Sequence, residues 1–122
     1  MNNITEQLKA RTKSFAKGCV KLLSSSEQKG RLFKHIENQL IRCSTSVAAN
    51  YRAACLAQSK ASFVAKLSIV LEEVDESAFW LELLLEENLV EIEQAKKLYD
   101  EASELTKIFV ASRKTLNNRT NQ

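Results

Sequence analysis

The stretch RLFKHIENQLIRCSTSVAANYRAACLA, residues 31–57, decides the fold class of this chain. Its apolar side chains recur every three or four residues, which is the spacing of one face of an α-helix. No glycine or proline interrupts the pattern, so the stretch predicts a single long amphipathic helix. The apolar face consists of Leu32, Ile36, Leu40, Cys43, Val47, Tyr51 and Ala54.

Three further segments on either side of this stretch have the same periodicity. The serine-rich run at 24–30 predicts a loop that closes at Gly30. Ser59 is expected to cap the start of the third helix, and Asn88 to end it, because asparagine tolerates the left-handed conformation found there. The predicted helices cover residues 4–23, 31–57, 60–87 and 90–116, and a polar tail follows at 117–122.

The composition excludes most other fold classes. The chain has 122 residues, two glycines and no proline, and 44% of its residues are apolar. An all-β fold needs turn residues about every 10 positions, and a disordered chain lacks this much apolar surface. Four helices of this length joined by short turns predict one all-α domain, an antiparallel up-down-up-down four-helix bundle.

The sequence also bears on location. No stretch approaches the ~20 apolar residues that a membrane-spanning helix needs, and the first residues lack the apolar core of a signal peptide. We therefore expect a soluble, cytoplasmic protein without a membrane partner. The cysteines Cys19, Cys43 and Cys55 lie among apolar positions without a CxxC spacing, which predicts reduced thiols in the core.

The net charge of +3 conceals a strong asymmetry. Residues 1–66 carry a net +9, residues 67–104 a net −10, and residues 105–122 a net +4. Three explanations remain open: solvated helix faces, helices of opposite charge that pack within one chain or between subunits, or a basic surface that binds nucleic acid. The candidates for nucleic-acid contact are Lys9, Arg11, Lys13, Lys17, Lys21, Lys29, Arg31, Lys34, Lys107, Arg113 and Lys114.

In an up-down bundle, the basic candidates fall into two clusters. The end of the first helix and the start of the second share a pole, which would gather the residues from Lys17 to Lys34. The end of the fourth helix shares the opposite pole with the start of the first. The basic residues from Lys107 to Lys114 are therefore expected to join Lys9, Arg11 and Lys13.

The second helix is unusually rich in small residues between positions 42 and 54. Small side chains on several faces predict either close approach by more than one neighbouring helix, as in a central helix or an oligomer contact, or a single tight crossing within the chain. Asn50, Arg42 and Arg52 would be costly to bury without partners. Acids of the third helix are expected to pair with these arginines, and Trp80 is expected to complete the core or anchor an interface. The candidate acids are Glu73, Asp75 and Glu76.

The sequence contains no recognisable catalytic or metal-binding motif. Carboxylates on the third helix resemble those of di-metal bundles, which pair glutamates with Glu-x-x-His motifs. The single histidine, His35, has no glutamate three residues before it. Phosphate-binding loops, nucleophile elbows and HExxH zinc motifs are also missing from the sequence. We therefore expect neither an enzyme nor a cofactor.

The segment QLIRCSTSVAANYRAACLAQSKASFVAKLSIVLEEVDESAFWLELL, residues 39–84, resembles the four-helix-bundle family encoded in intervening sequences of bacterial 23S ribosomal RNA genes. Cys43 replaces the serine usual in that family, and Ser62 replaces a common acid. The residues that carry the resemblance are Arg42, Thr45, Ser46, Asn50, Tyr51, Arg52, Ala54, Ser59, Phe63, Lys66, Leu67, Glu73, Asp75, Glu76, Ser77, Trp80, Leu81, Glu82 and Leu83.

The resemblance implies a bundle that assembles as a ring-shaped homopentamer without an established activity. Bundles related in fold serve as accessory proteins of diversity-generating retroelements and bind nucleic acid and a reverse transcriptase. We therefore expect a non-enzymatic oligomer that binds RNA or DNA weakly and with little sequence preference. The alternative is a structural or protein-interaction scaffold with no nucleic-acid role.

Overall fold

The computed structural model describes residues 3–120, and the predicted class of fold is confirmed: these residues form a four-helix bundle without strands. The helices follow one another through short turns, so that neighbours in sequence run antiparallel. Each helix packs against its sequence neighbours, and the first also packs against the fourth, whereas diagonal pairs make no packing contact within these residues. The helices are α1 (Asn3–Ser24), α2 (Arg31–Ala54), α3 (Lys60–Glu86) and α4 (Ile92–Thr120).

Local hydrogen bonds determine where the helices begin and end. The Ser59 hydroxyl accepts a hydrogen bond from the Ser62 amide at 3.1 Å, as expected of a cap. Asn88 adopts the predicted left-handed conformation, with φ of 55°. The Glu91 carboxylate accepts from the Gln94 amide at 3.0 Å, and α4 therefore begins two residues later than the apolar pattern predicts.

Two other helix ends differ from the sequence-based bounds by more than two residues. α2 ends at Ala54 rather than 57 because the Leu56 and Ala57 amides donate to carbonyls three residues back, which tightens the chain into a turn. α4 continues through residue 120 rather than ending at 116, since no glycine or proline interrupts it. Of the predicted polar tail, residues 121–122 lie outside the described part of the chain.

The core is one continuous apolar cluster, to which all four helices contribute side chains. Phe109 is fully buried, and its ring packs against Tyr51 with centroids 5.2 Å apart. α1 and α4 approach closely at Gly18, where an added Cβ would lie 2.7 Å from Leu98 Cδ2. The Ser26 hydroxyl donates to the Leu89 carbonyl at 2.9 Å, so the α1–α2 and α3–α4 turns meet at one pole.

The three cysteines are free thiols. Burial raises the pKa of Cys19 to about 12 and that of Cys43 to about 11. Thiolate is the reactive form of cysteine, so neither side chain reacts appreciably at pH 8. We expect a native chain treated with a thiol-reactive disulfide reagent to be labelled at Cys55 alone, because that residue is only half-buried.

The number of labelled thiols tests this expectation. Denaturation should raise the count from one to three, and Cys55→Ser should remove the native signal. Rapid labelling of two or three thiols in the native state would contradict the buried placement of Cys19 and Cys43.

Candidate nucleic-acid interface

A row of four lysines follows one face of α1. Lys9, Lys13, Lys17 and Lys21 are four residues apart, so their Cα atoms lie about 6 Å from one another along the helix. Lys13, Lys17 and Lys21 are exposed, whereas Lys9 is half-buried with its ammonium 3.5 Å from Glu6 Oε1. Among the described residues, the row therefore provides three cations without an ion pair and one paired with an acid.

The turn between α1 and α2 adds further exposed cations. Lys29 lies in the loop, and Arg31 and Lys34 lie in the first turn of α2, beside the end of α1 that carries Lys21. Within the described part of the chain, none of these four side chains forms an ion pair. We refer to Lys21, Lys29, Arg31 and Lys34 as the turn cluster.

A groove runs along the surface between α1 and α2, beside the lysine row. The floor of this α1–α2 groove is made of small side chains, including Ala10 and Ala16 of α1 and Ala48 and Ala49 of α2. Its volume is about 1230 Å³. The basic residues that line it are Lys9, Lys13, Lys17, Lys21 and Arg52.

Arg11 belongs to a different surface from the other basic candidates of α1. Its Nε donates to Glu101 Oε2 at 3.0 Å and its Nη2 to Glu101 Oε1 at 2.6 Å, a bidentate pair that links α1 to α4. The hydrogen bonds with Glu101 raise the pKa of Arg11. Since its guanidinium already binds a carboxylate, Arg11 does not supply a free cation to the lysine row.

The basic residues of α4 do not extend the lysine row either. Arg113 is half-buried, and its Nη1 lies 3.4 Å from the Ser68 hydroxyl on α3. Arg113 therefore faces α3, which is diagonal to α1, and the expectation that it joins Lys9, Arg11 and Lys13 stays a prediction. Lys107 and Lys114 are exposed and form no ion pair in the described part of the chain.

A polar network on the surface between α2 and α3 is centred on Arg42. Its Nη1 lies 3.4 Å from Glu73 Oε2, and its Nη2 pairs with Glu76. Glu76 also accepts a hydrogen bond from the Trp80 indole at 3.0 Å. Hydrogen bonds from Trp80 and Arg42 lower the pKa of Glu76, so this carboxylate stays ionised and holds the two side chains in place.

The aromatic rings next to this network pack edge to face. Trp80 contacts His35 at a centroid distance of 5.4 Å and Phe79 at 4.8 Å. Trp80 is half-buried, whereas Phe79 is 54% exposed.

No group of His, Cys, Asp or Glu side chains in the described residues is arranged to hold a metal ion. In the same residues, no helix is long and apolar enough to cross a membrane.

A comparison with known proteins supports the family resemblance found in residues 39–84. The sequence model of the family described as 23S rRNA-intervening sequence protein matches residues 6–111. The chain belongs to this family. No match was found among curated proteins.

A solved structure supports the assignment to the 23S rRNA-intervening sequence protein family. The chain is similar to a protein of unknown function from the S23 ribosomal protein family of Bacteroides thetaiotaomicron. The two are 31% identical, with a TM-score of 0.77 over 88% of this chain and 98% of that one. The resemblance stated from the sequence is thus confirmed, and the family assignment leaves the function open.

The polar residues of the 23S rRNA-intervening sequence protein motif lie in different environments. Asn50 is half-buried and donates to the Ser46 carbonyl at 2.9 Å and hydroxyl at 2.8 Å, within its own helix. Arg52 is exposed at the α1–α2 groove, and Asp75 is exposed on α3. Neither forms an ion pair in the described residues. Of the two arginines expected to bind acids of α3, Arg42 does so within the chain.

The sequence interpretation missed the α1–α2 groove of this 23S rRNA-intervening sequence protein. The signal was present as Ala48 and Ala49, whose small side chains were attributed to close helix packing. In the structure Ala49 is exposed and Ala48 half-buried, and both face the groove. The spacing of residues along the sequence and the composition do not distinguish small residues that pack against a helix from small residues that line a groove.

Proposed function

We propose that this chain is a non-enzymatic, cytoplasmic, homopentameric bundle that binds RNA or DNA through the turn cluster. The observation that carries the proposal is the gathering of Lys21, Lys29, Arg31 and Lys34 at one helix turn, exposed and without ion pairs in the described residues. Free cations of this kind neutralise phosphates and release the counterions around them. Three reduced cysteines agree with a cytoplasmic location.

Exposed acids lie next to the proposed binding surface, on one side of it. The α3–α4 turn meets the α1–α2 turn at the same pole and carries the exposed acids Glu86, Glu87 and Glu91. The α1–α2 side of that pole also carries the exposed acid Glu27 but keeps a net positive charge, whereas the α3–α4 side is acidic. A phosphate backbone is attracted to the α1–α2 side and repelled from the α3–α4 side.

The proposed pentamer strengthens an interaction that is weak for one subunit. The family resemblance supports a ring of five chains, in which symmetry repeats the turn cluster five times. Once one subunit holds a long nucleic acid, its neighbours bind from a raised effective concentration. Contacts with phosphates carry no base information, which agrees with the expected lack of sequence preference.

Charge reversal within the turn cluster tests this proposal. We expect Lys29→Glu with Lys34→Glu to weaken binding of a labelled duplex DNA and a structured RNA at least tenfold in fluorescence anisotropy at low salt. The reason is that the phosphate contacts of both side chains are lost and replaced by repulsion. The matched control is Lys96→Glu with Lys97→Glu, because both lysines are exposed on α4 and the net charge changes equally.

The control separates a localised site from a general effect of charge. Equal weakening in the two variants would contradict binding through the turn cluster. A wild-type protein that binds neither nucleic acid at low salt would overturn the proposal in favour of the scaffold alternative.

A further inference from the structure

The outward side of α3 carries an acidic strip with a phenylalanine at its centre. Glu72, Asp75, Glu82 and Glu86 are exposed and form no ion pair within the described residues, and Phe79 lies among them. Their spacings of three, four or seven residues place them on one side of the helix. We refer to these five residues as the α3 acidic face.

Phe79 is exposed on this face and packs against one aromatic neighbour. Its ring lies edge to face with Trp80 at 4.8 Å, and Trp80 is held by its hydrogen bond to Glu76 and by its contact with His35. An aromatic side chain has few rotatable bonds, so it loses little conformational freedom on binding. Such residues contribute strongly to protein interfaces when a partner covers them.

The α1–α2 groove has the complementary charge and shape. Among the described residues that line it, Glu6 is the one acid beside four lysines and Arg52. Its volume of about 1230 Å³ exceeds the roughly 300–1,000 Å³ of small-molecule pockets. An open groove with an alanine floor and a basic rim therefore fits the side of an acidic helix better than a compact ligand.

The two surfaces also match in length. The lysine row from Lys9 to Lys21 spans twelve residues, which is about 18 Å along a helix. The acids from Glu72 to Glu86 span fourteen residues, or about 21 Å. Several ion pairs can therefore form side by side when the two helices lie along each other.

These surfaces cannot meet within one chain. α1 and α3 are diagonal in the bundle and make no packing contact in residues 3–120, and the acids in question point to the outside. A second copy of the chain supplies the missing partner for each surface. Because the two surfaces differ, their contact is heterologous and closes into a ring or extends into a filament.

We propose that the α3 acidic face of one copy docks into the α1–α2 groove of the next copy. Phe79 then covers the floor at Ala48 and Ala49, and the acids pair with Lys13, Lys17 and Arg52. This inference rests on the homo-oligomer proposed above and names the surfaces that form it. Lys29, Arg31 and Lys34 lie beyond the groove, so the contact leaves them free for nucleic acid.

Charge swapping tests this contact directly. The acid-reversed variant carries Glu72→Lys, Asp75→Lys and Glu82→Lys, and the groove-reversed variant carries Lys13→Glu, Lys17→Glu and Arg52→Glu. All six positions are exposed, so circular dichroism should show both variants folded. We expect light scattering to give about 69 kDa for five wild-type chains of 13.8 kDa and a loss of this species in each variant alone.

Mixing the two variants in equal amounts is the decisive step. Each variant alone opposes like charges, whereas alternating copies bring acids and bases together again. Because a ring of five cannot alternate throughout, the mixture should form open alternating complexes, larger than a single chain, rather than the closed ring of the wild type. Wild-type mass in either variant alone, or no association in the mixture of folded variants, would overturn the proposed contact.

Two further measurements keep this inference separate from the proposed nucleic-acid function. The turn-cluster variant Lys29→Glu with Lys34→Glu should keep the wild-type mass while losing nucleic-acid affinity. Phe79→Ala should shift the assembly to at least tenfold higher protein concentration, because it removes the aromatic contact without changing charge. An unchanged assembly in Phe79→Ala, or its loss in the turn-cluster variant, would contradict the assigned surfaces.

Discussion

Replacing Phe109 with alanine is expected to lower the free energy of unfolding by about 3–5 kcal/mol. Phe109 is fully buried, and its ring packs against Tyr51 at 5.2 Å. The substitution removes this contact and leaves a cavity between α2 and α4 that rigid helices only partly close. The free energy of unfolding of a natural protein domain is about 5–15 kcal/mol, so the variant should lose a large part of its stability.

Urea denaturation followed by circular dichroism measures this loss. The control is Val110→Ala, because Val110 is the next residue on α4 and is 42% exposed. Surface changes of this kind usually stay within about 0.5 kcal/mol. A loss below about 1 kcal/mol in Phe109→Ala would contradict the placement of this ring in the core.

Ser77→Leu is expected to destabilise the bundle by about 1–3 kcal/mol through overpacking. The Ser77 hydroxyl is fully buried and lies 3.2 Å from Cys43 Sγ on α2 and 2.8 Å from the Glu73 carbonyl. No space remains for a larger side chain at this crossing of α2 and α3, so the helices must move apart. Ala65→Leu, at an exposed position of α3, is the control.

Thermal and urea unfolding of both leucine variants would test the close crossing. Equal stability of Ser77→Leu and Ala65→Leu would show that α2 and α3 are not in close contact at Cys43. A specific loss in Ser77→Leu would show that this crossing of α2 and α3 requires a small residue at position 77.

The fold follows from the sequence because its signals are local. The repeat of apolar residues through α2 is set by the helical period, and the cap at Ser59 and the left-handed residue at Asn88 each depend on one residue type. The exact ends were harder to predict. They depend on hydrogen bonds such as the one from the Gln94 amide to Glu91, which compete with the apolar pattern.

The candidate site was less predictable because its geometry depends on residues far apart in sequence. Arg11 and Lys13 look alike in the sequence, yet Arg11 binds Glu101, ninety positions away, while Lys13 stays exposed. Arg52 resembles Arg42 within the motif but faces α1 rather than the acids of α3. Only the packing of the four helices determines which cations remain free.

The salt dependence of nucleic-acid binding shows directly whether the turn cluster contacts phosphates. Three phosphate contacts per subunit, from Lys29, Arg31 and Lys34, predict that affinity for duplex DNA falls about 40-fold between about 50 and 200 mM salt. The turn-cluster variant Lys29→Glu with Lys34→Glu should show a smaller slope, and the control Lys96→Glu with Lys97→Glu should keep that of the wild type. An affinity that does not change with salt would contradict binding through the turn cluster. So would a slope of log affinity against log salt concentration that is unchanged in the turn-cluster variant.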